Sequence, residues 1–141
     1  MLLRLLLPLW YLPSTIAIPF FSNNTIPSNL TSDCATALLT DVEQCPPTVA
    51  TFAIGYYYPP SVLEKACTTA CVTALEQYEA RIATACTGQT WTAYDEIDGA
   101  PLDIIANVMR FNHDLVCLKD AGRWCNVVAV AAAMQADPGR R

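Results

Sequence analysis

A chain of 141 residues with eight Lys+Arg against 13 Asp+Glu has room for one domain with a modest core, and it carries a formal net charge of −5. An acidic chain without a concentrated basic patch excludes nucleic acid and anionic membrane surfaces as partners, because both present dense negative charge. Seven cysteines in so short a chain point to a disulfide framework made in an oxidising compartment.

The chain opens MLLRLLLPLWYLPSTIA. One basic residue, Arg4, precedes an apolar run from Leu5 to Leu12 and then small residues. This is the layout of a secretory signal peptide, cleaved after Ala17, with Thr15 and Ala17 at the small-residue positions. A membrane anchor is disfavoured: the run falls short of about 20 apolar residues and is broken by Pro8 and Pro13. Removing residues 1–17 leaves 124 residues with seven cations against 13 carboxylates, a net charge of −6. No membrane span is expected in the remainder, since Val127 to Ala136 is only about half the needed length. Residues 18–31 read as a flexible, glycosylated leader. Two sequons, Asn23-Asn24-Thr25 and Asn29-Leu30-Thr31, place acceptors at Asn23 and Asn29.

The cysteine-rich module is expected over residues 32–136, with 137–141 as a tail. Its first helix is read over Ser32 to Cys45, capped by Ser32 or Asp33 and stopped by Pro46-Pro47. Residues 46–60 hold four prolines and the run Tyr56-Tyr57-Tyr58. They read as an extended, partly polyproline-like connector. The tyrosines are more simply packing groups than a carbohydrate or partner platform. Ser61 to Cys86 is the most periodic stretch. Leu63, Cys67, Ala70, Cys71, Ala74, Leu75, Tyr78, Ile82, Ala85 and Cys86 fall on one helical face. Ser61 and Glu64 form a capping-box pattern, and Gly88 suits a left-handed C-cap. Residues 87–100 read as a polar loop. A third helix starts at Pro101 and runs to about Cys117 or Leu118. Its two apolar stripes, Leu102/Ile105/Ala106/Met109 and Ile104/Val108/Phe111/Leu115, predict a central helix buried between neighbours. Gly122 interrupts the pattern, and a last helix spans Trp124 to Gln135. No alternating strand pattern is present. The predicted class is all-α: a small disulfide-stapled bundle of about four helices.

The disulfide candidates are Cys34, Cys45, Cys67, Cys71, Cys86, Cys117 and Cys125. One arrangement cross-links the first two helices through Cys34, Cys45, Cys67 and Cys71, leaving Cys86 with the Cys117/Cys125 pair to staple the C-terminal half. Spacing alone does not fix the pairing. Zinc would want a CxxC or a Cys/His cluster, and His113 has no such partners in the spacing pattern, so no metal is assigned. His113-Asp114 reads as a histidine at a helix C-terminus rather than a catalytic base, because no nucleophile motif accompanies it. The loop Asp95-Glu96-Ile97-Asp98-Gly99 does not match a calcium loop, and a glycosidase would need a deep cleft. No catalytic residue and no cofactor are assigned. Trp91, Tyr94 and Tyr57 are the candidate sugar-stacking residues, with cell-wall polysaccharide or another secreted protein as the partner.

Three phrases resemble one family. They are CTTACVTALEQYEARIATAC (Cys67–Cys86), RFNHDLVCLKDAGRWCNVV (Arg110–Val128) and CATALLTDVEQCPP (Cys34–Pro47). Together they are similar to the cysteine-rich α-helical module of fungal secreted proteins that often precedes LysM domains. The resemblance covers roughly residues 32–130. It implies a secreted fungal protein acting at or near the cell wall, and it implies no enzyme activity. Nor does it imply chitin binding, which belongs to LysM domains whose motif is absent here. The family continues into a further cysteine-containing segment, whereas this chain ends in DPGRR. The odd cysteine count is therefore expected to reflect a truncated product lacking an eighth cysteine, in preference to a free-standing variant with an unpaired thiol.

Overall fold

A computed structural model describes residues 20–91 and 99–136. The expected signal peptide (1–17) and tail (137–141) lie outside the described residues, as does most of the acidic loop. Among the described residues the elements are α1 (Ser32–Leu39), a 3-10 turn (Pro47–Thr51), α2 (Pro60–Ala66), α3 (Thr69–Ala85), β1 (Thr90–Trp91), β2 (Ala100–Pro101), α4 (Asp103–Val116), β3 (Lys119–Asp120), β4 (Arg123–Trp124) and α5 (Cys125–Ala136). The fold is mostly helical, with five α-helices and two small antiparallel hairpins, β1–β2 and β3–β4. No described helix is long and apolar enough to cross a membrane.

The expected helix over Ser61–Cys86 is two helices. Pro60 begins α2, whose N-cap is Pro59 with no side-chain bond, so the predicted Ser61/Glu64 box does not cap it. Cys67 closes α2, and Thr68 turns extended (ψ 152°) to cap α3 by accepting the Cys71 N–H at 3.1 Å. A threonine hydroxyl competes with the helical ladder for backbone donors, which is why Thr68 starts a new helix rather than continuing the old one.

The first helix is also shorter than expected. Thr31, not Ser32 or Asp33, caps α1 by accepting from the Cys34 N–H. The chain leaves the helix at Thr40, and Gln44 takes a positive φ of 69° before Pro46. Val42 and Cys45 reach the core from this turn. Gln89 ties the start of α1 to the loop behind α3. Its Oε1 accepts the Thr31 N–H at 2.9 Å and its Nε2 donates to Thr31 Oγ1 at 2.9 Å.

The central helix is α3, not α4. It packs against α1 on one side and α4 on the other, burying Cys71, Leu75, Tyr78 and Ile82. On α4 only Ala106, His113 and Val116 are buried. The predicted second stripe faces solvent: Ile104, Val108 and Phe111 are exposed. The α4 start is set by β2, which takes Pro101 into a strand and leaves Leu102 as the N-cap. Arg110 on α4 reaches Glu76 and Glu79 on α3, both at 3.2 Å. These pairs are solvent-exposed, so each contributes about 0.2–1 kcal/mol and mainly sets orientation. Ala121 (φ 46°) and Gly122 (φ 79°) make the two-residue turn of the β3–β4 hairpin, both left-handed as a type I′ turn requires. The stretch expected to be a flexible leader is in contact with the core: Phe20, Phe21, Ile26 and Leu30 pack against it.

Tyr78 is the largest fully buried side chain. Its hydroxyl donates to Leu38 O at 3.2 Å, and Phe20 meets its ring edge-on at 5.7 Å between centroids. Burial pushes its phenol well above the ordinary range, with Arg81 opposing to a smaller extent. A phenol raised on folding contributes stability that is intact below the unfolded value of about 10 and is lost as pH climbs through the folded one. Denaturant melts at neutral pH and above about pH 10 should therefore show the stability gap between the parent and Tyr78→Phe shrinking in alkali. A gap that stays constant would argue against a neutral, buried phenol.

Candidate functional site

Six cysteines pair: Cys34–Cys86, Cys45–Cys71 and Cys67–Cys117. The predicted cross-link of the first two helical segments changes in one partner. Cys86, at the far end of α3, takes the place of Cys67, because Cys67 belongs to the break before α3 and faces α4 instead. The expected staple among Cys86, Cys117 and Cys125 does not form, and Cys125 is unpaired.

The Cys67–Cys117 bridge brings its sulfurs and His113 together, with one ligand atom of each within 4.8 Å of the others. This corrects the reading that His113 has no neighbours at ligand spacing. Cys117 lies one helical turn after it, and the α2–α3 break carries Cys67 to the same spot. His113 is buried, with Nε2 3.1 Å from Ala66 O and Nδ1 3.4 Å from Asp114 Oδ1. It is a bridging core group, not an exposed base.

The tyrosine run divides by direction. Tyr58 turns inward: its hydroxyl donates to Thr51 O and accepts from the Ala53 N–H, both at 2.9 Å, and its ring packs on Phe52. Ile54, Tyr56 and Tyr57 face solvent at 62%, 66% and 49% exposure, so the packing reading holds for Tyr58 alone. The strap is clamped from α5. Asn126 Nδ2 donates to Tyr56 O at 2.7 Å, and Asn126 Oδ1 accepts the Tyr58 N–H at 3.1 Å. Beside it lies a cavity of about 230 Å³ bounded by Ile54, Leu115, Cys125, Asn126 and Ala129. Asn126 is absent from the sequence-level candidates. Its signal was a single amide at the head of the apolar run Val127–Ala133. Asn126→Ala is expected to cost about 0.5–1.5 kcal/mol, since the part-buried Tyr58 amide loses its partner while water takes over the exposed Tyr56 carbonyl, and to speed amide hydrogen exchange at Tyr58.

A second apolar surface, about 530 Å³ in volume, lies between Phe20, Phe21 and Phe52 and the exposed stripe of α4 at Ile104 and Val108, with Met109 and Asn112 at its floor. Asn23 and Asn29 are both exposed. Trp91 contributes its backbone to β1. Its side chain, Tyr94 and the carboxylates of Asp95, Glu96 and Asp98 lie outside the described residues.

A mostly helical core stapled by three disulfides defines a class: a small cysteine-rich helical module. The chain matches the secreted LysM effector N-terminal domain over residues 22–131, and it belongs to that family. It is similar to a LysM domain-containing protein of Arthroderma benhamiae, 38% identical over 123 residues. That match takes in 87% of this chain and only 22% of the relative, so the chain spans about a fifth of the relative's length. No solved structure matches it.

Proposed function

We propose that this protein is a non-enzymatic secreted module that makes a contact at the fungal cell wall or in the extracellular space, with the strap Ile54–Tyr57 as its contact surface. The observation that carries the reading is the Asn126 clamp: it holds Tyr56 and Tyr57 outward on a fixed backbone. Exposed aromatic rings on a pinned backbone spare part of the ordering cost of binding and offer flat apolar faces to sugar rings or to a protein surface. Family membership supports secretion. In this reading residues 1–17 are removed on export, and Asn23 and Asn29 carry glycans. The partner is a cell-wall polysaccharide, or alternatively another secreted protein.

The test is a pull-down of the secreted protein on insoluble chitin and on β-glucan, with Tyr56→Ala/Tyr57→Ala and Trp91→Ala as variants. Retention on one polymer that drops in the tyrosine variant supports the strap. Retention lost only with Trp91→Ala moves the contact to the β1 loop. Absence of retention on both polymers removes the carbohydrate reading and leaves a protein partner.

A further inference from the structure

The C-terminal ends of α2 and α4 meet at one half-buried point, since Cys67 is the residue after α2 and Cys117 the residue after α4. His113 Nε2 lies 3.5 Å from Cys117 Sγ. Zn–S bonds of about 2.3 Å and Zn–N bonds of about 2.0–2.1 Å put sulfur and nitrogen about 3.5 Å apart along the edge of a tetrahedron. On the other side of the ring, Nδ1 faces Asp114 Oδ1 at 3.4 Å, and Arg110 Nε holds the second oxygen of Asp114 at 3.8 Å. A carboxylate behind a histidine in this way fixes the tautomer that ligates through Nε2. The bridge opens onto a cavity of about 430 Å³ that also takes in Lys119 and Trp124, which leaves room for water as a fourth ligand. Helix C-termini carry partial negative charge, so two of them converging here favour a cation.

We propose that Cys67–Cys117 is the reducible disulfide of the three, and that its dithiol form, with His113, is a Cys2His site for zinc. Access separates this bridge from the others. Cys34 and Cys71 are 0% exposed, Cys86 3% and Cys45 7%, whereas Cys67 and Cys117 are both half-buried on the cavity wall. Two molecules of an external thiol carry out the reduction. The S–S bond breaks, each protein sulfur gains one electron and one proton, and the external thiols become a disulfide. Zinc then displaces the two thiol protons to solvent. The sulfurs part to about 3.8 Å, the S–S edge of the tetrahedron. Nε2, whose N–H faces Ala66 O in the oxidised protein, releases that proton to solvent as Nδ1 takes one up, and its freed lone pair binds the metal while the Nδ1–H is donated to Asp114.

The experiment treats the full secreted protein with glutathione, removes the thiol under anaerobic conditions, and titrates Co2+ as the spectroscopic probe and then Zn2+. A parallel Cys125→Ser sample removes the unpaired thiol. Expected are alkylation of Cys67 and Cys117 with the other two bridges intact, retained helical circular dichroism, and tetrahedral cobalt–thiolate bands at one equivalent in both samples. The bands should be lost on zinc addition. Asp114→Asn, a change at an exposed side chain, should weaken affinity about 10–100-fold, and His113→Asn should weaken it further. The proposal is overturned if the reduced protein gives no such bands, if the oxidised protein gives them equally, if all three bridges open together with loss of helix, or if Asp114→Asn binds like the parent.

Discussion

Removing the Cys34–Cys86 bridge, as the double variant Cys34→Ala/Cys86→Ala, is expected to lower stability by about 4 kcal/mol. The bridge spans 52 residues, and loop-closure entropy of that length gives this magnitude. The Cys45–Cys71 bridge spans 26 residues and should contribute slightly less, about 3.5 kcal/mol. Both join the first segment to α3, one at each end, so α1 has no other covalent hold on the core. A domain of this size has about 5–15 kcal/mol in total, so either loss removes a large share of it. Thermal unfolding should fall by roughly 10–20 °C for the first pair, and secretion of folded protein should fall with it. A melting temperature within a few degrees of the parent would mean that hydrophobic packing, not the staples, holds α1 in place.

Tyr78→Ala is expected to cost about 3–5 kcal/mol. The ring is 1% exposed in the middle of α3, between Phe20 and Arg81, whose guanidinium sits 5.4 Å from the ring centroid. Truncation leaves a cavity at the centre of the fold and strands the Leu38 carbonyl, which lies one residue before the end of α1. Tyr78→Phe keeps the ring and loses only the hydrogen bond, so its cost should be about 1–3 kcal/mol. Chemical denaturation of both variants against the parent separates volume from hydrogen bonding. Equal losses would show that the hydroxyl contact, rather than the ring, is what α1 depends on.

Much of the helical structure was legible because it rests on local rules. The apolar spacing of Leu75, Tyr78 and Ile82 marked the buried face of α3, and the Pro59-Pro60 pair marked the start of α2. Gly122 marked a break between α4 and α5. What local rules do not weigh is competition. Helical periodicity runs through Cys67 and Thr68 without a gap, yet the Thr68 hydroxyl and the Cys67 bridge to α4 divide it. The two hairpins have strands of two residues each, too short for an alternating pattern. The site was less legible than the fold. Tyr56 and Tyr57 were visible as residues, but their exposure and the bond that ties the Tyr56 carbonyl to Asn126, 70 positions away, are tertiary features.

The sequence by itself determined the class of molecule. Seven cysteines, an acidic balance and helical periodicity with proline breaks led to a stapled, mostly helical module, because each of these acts through composition or through neighbours a few residues apart. Only the tertiary structure decided which helix is central, which cysteines meet and which face of α4 stays in water. Those depend on contacts between residues tens of positions apart. Disulfide pairing is the clearest case: any cysteine can bond any other, and it is the packing of α1 and α4 on α3 that brings three pairs together. The same packing leaves His113 beside the most exposed of the three bridges.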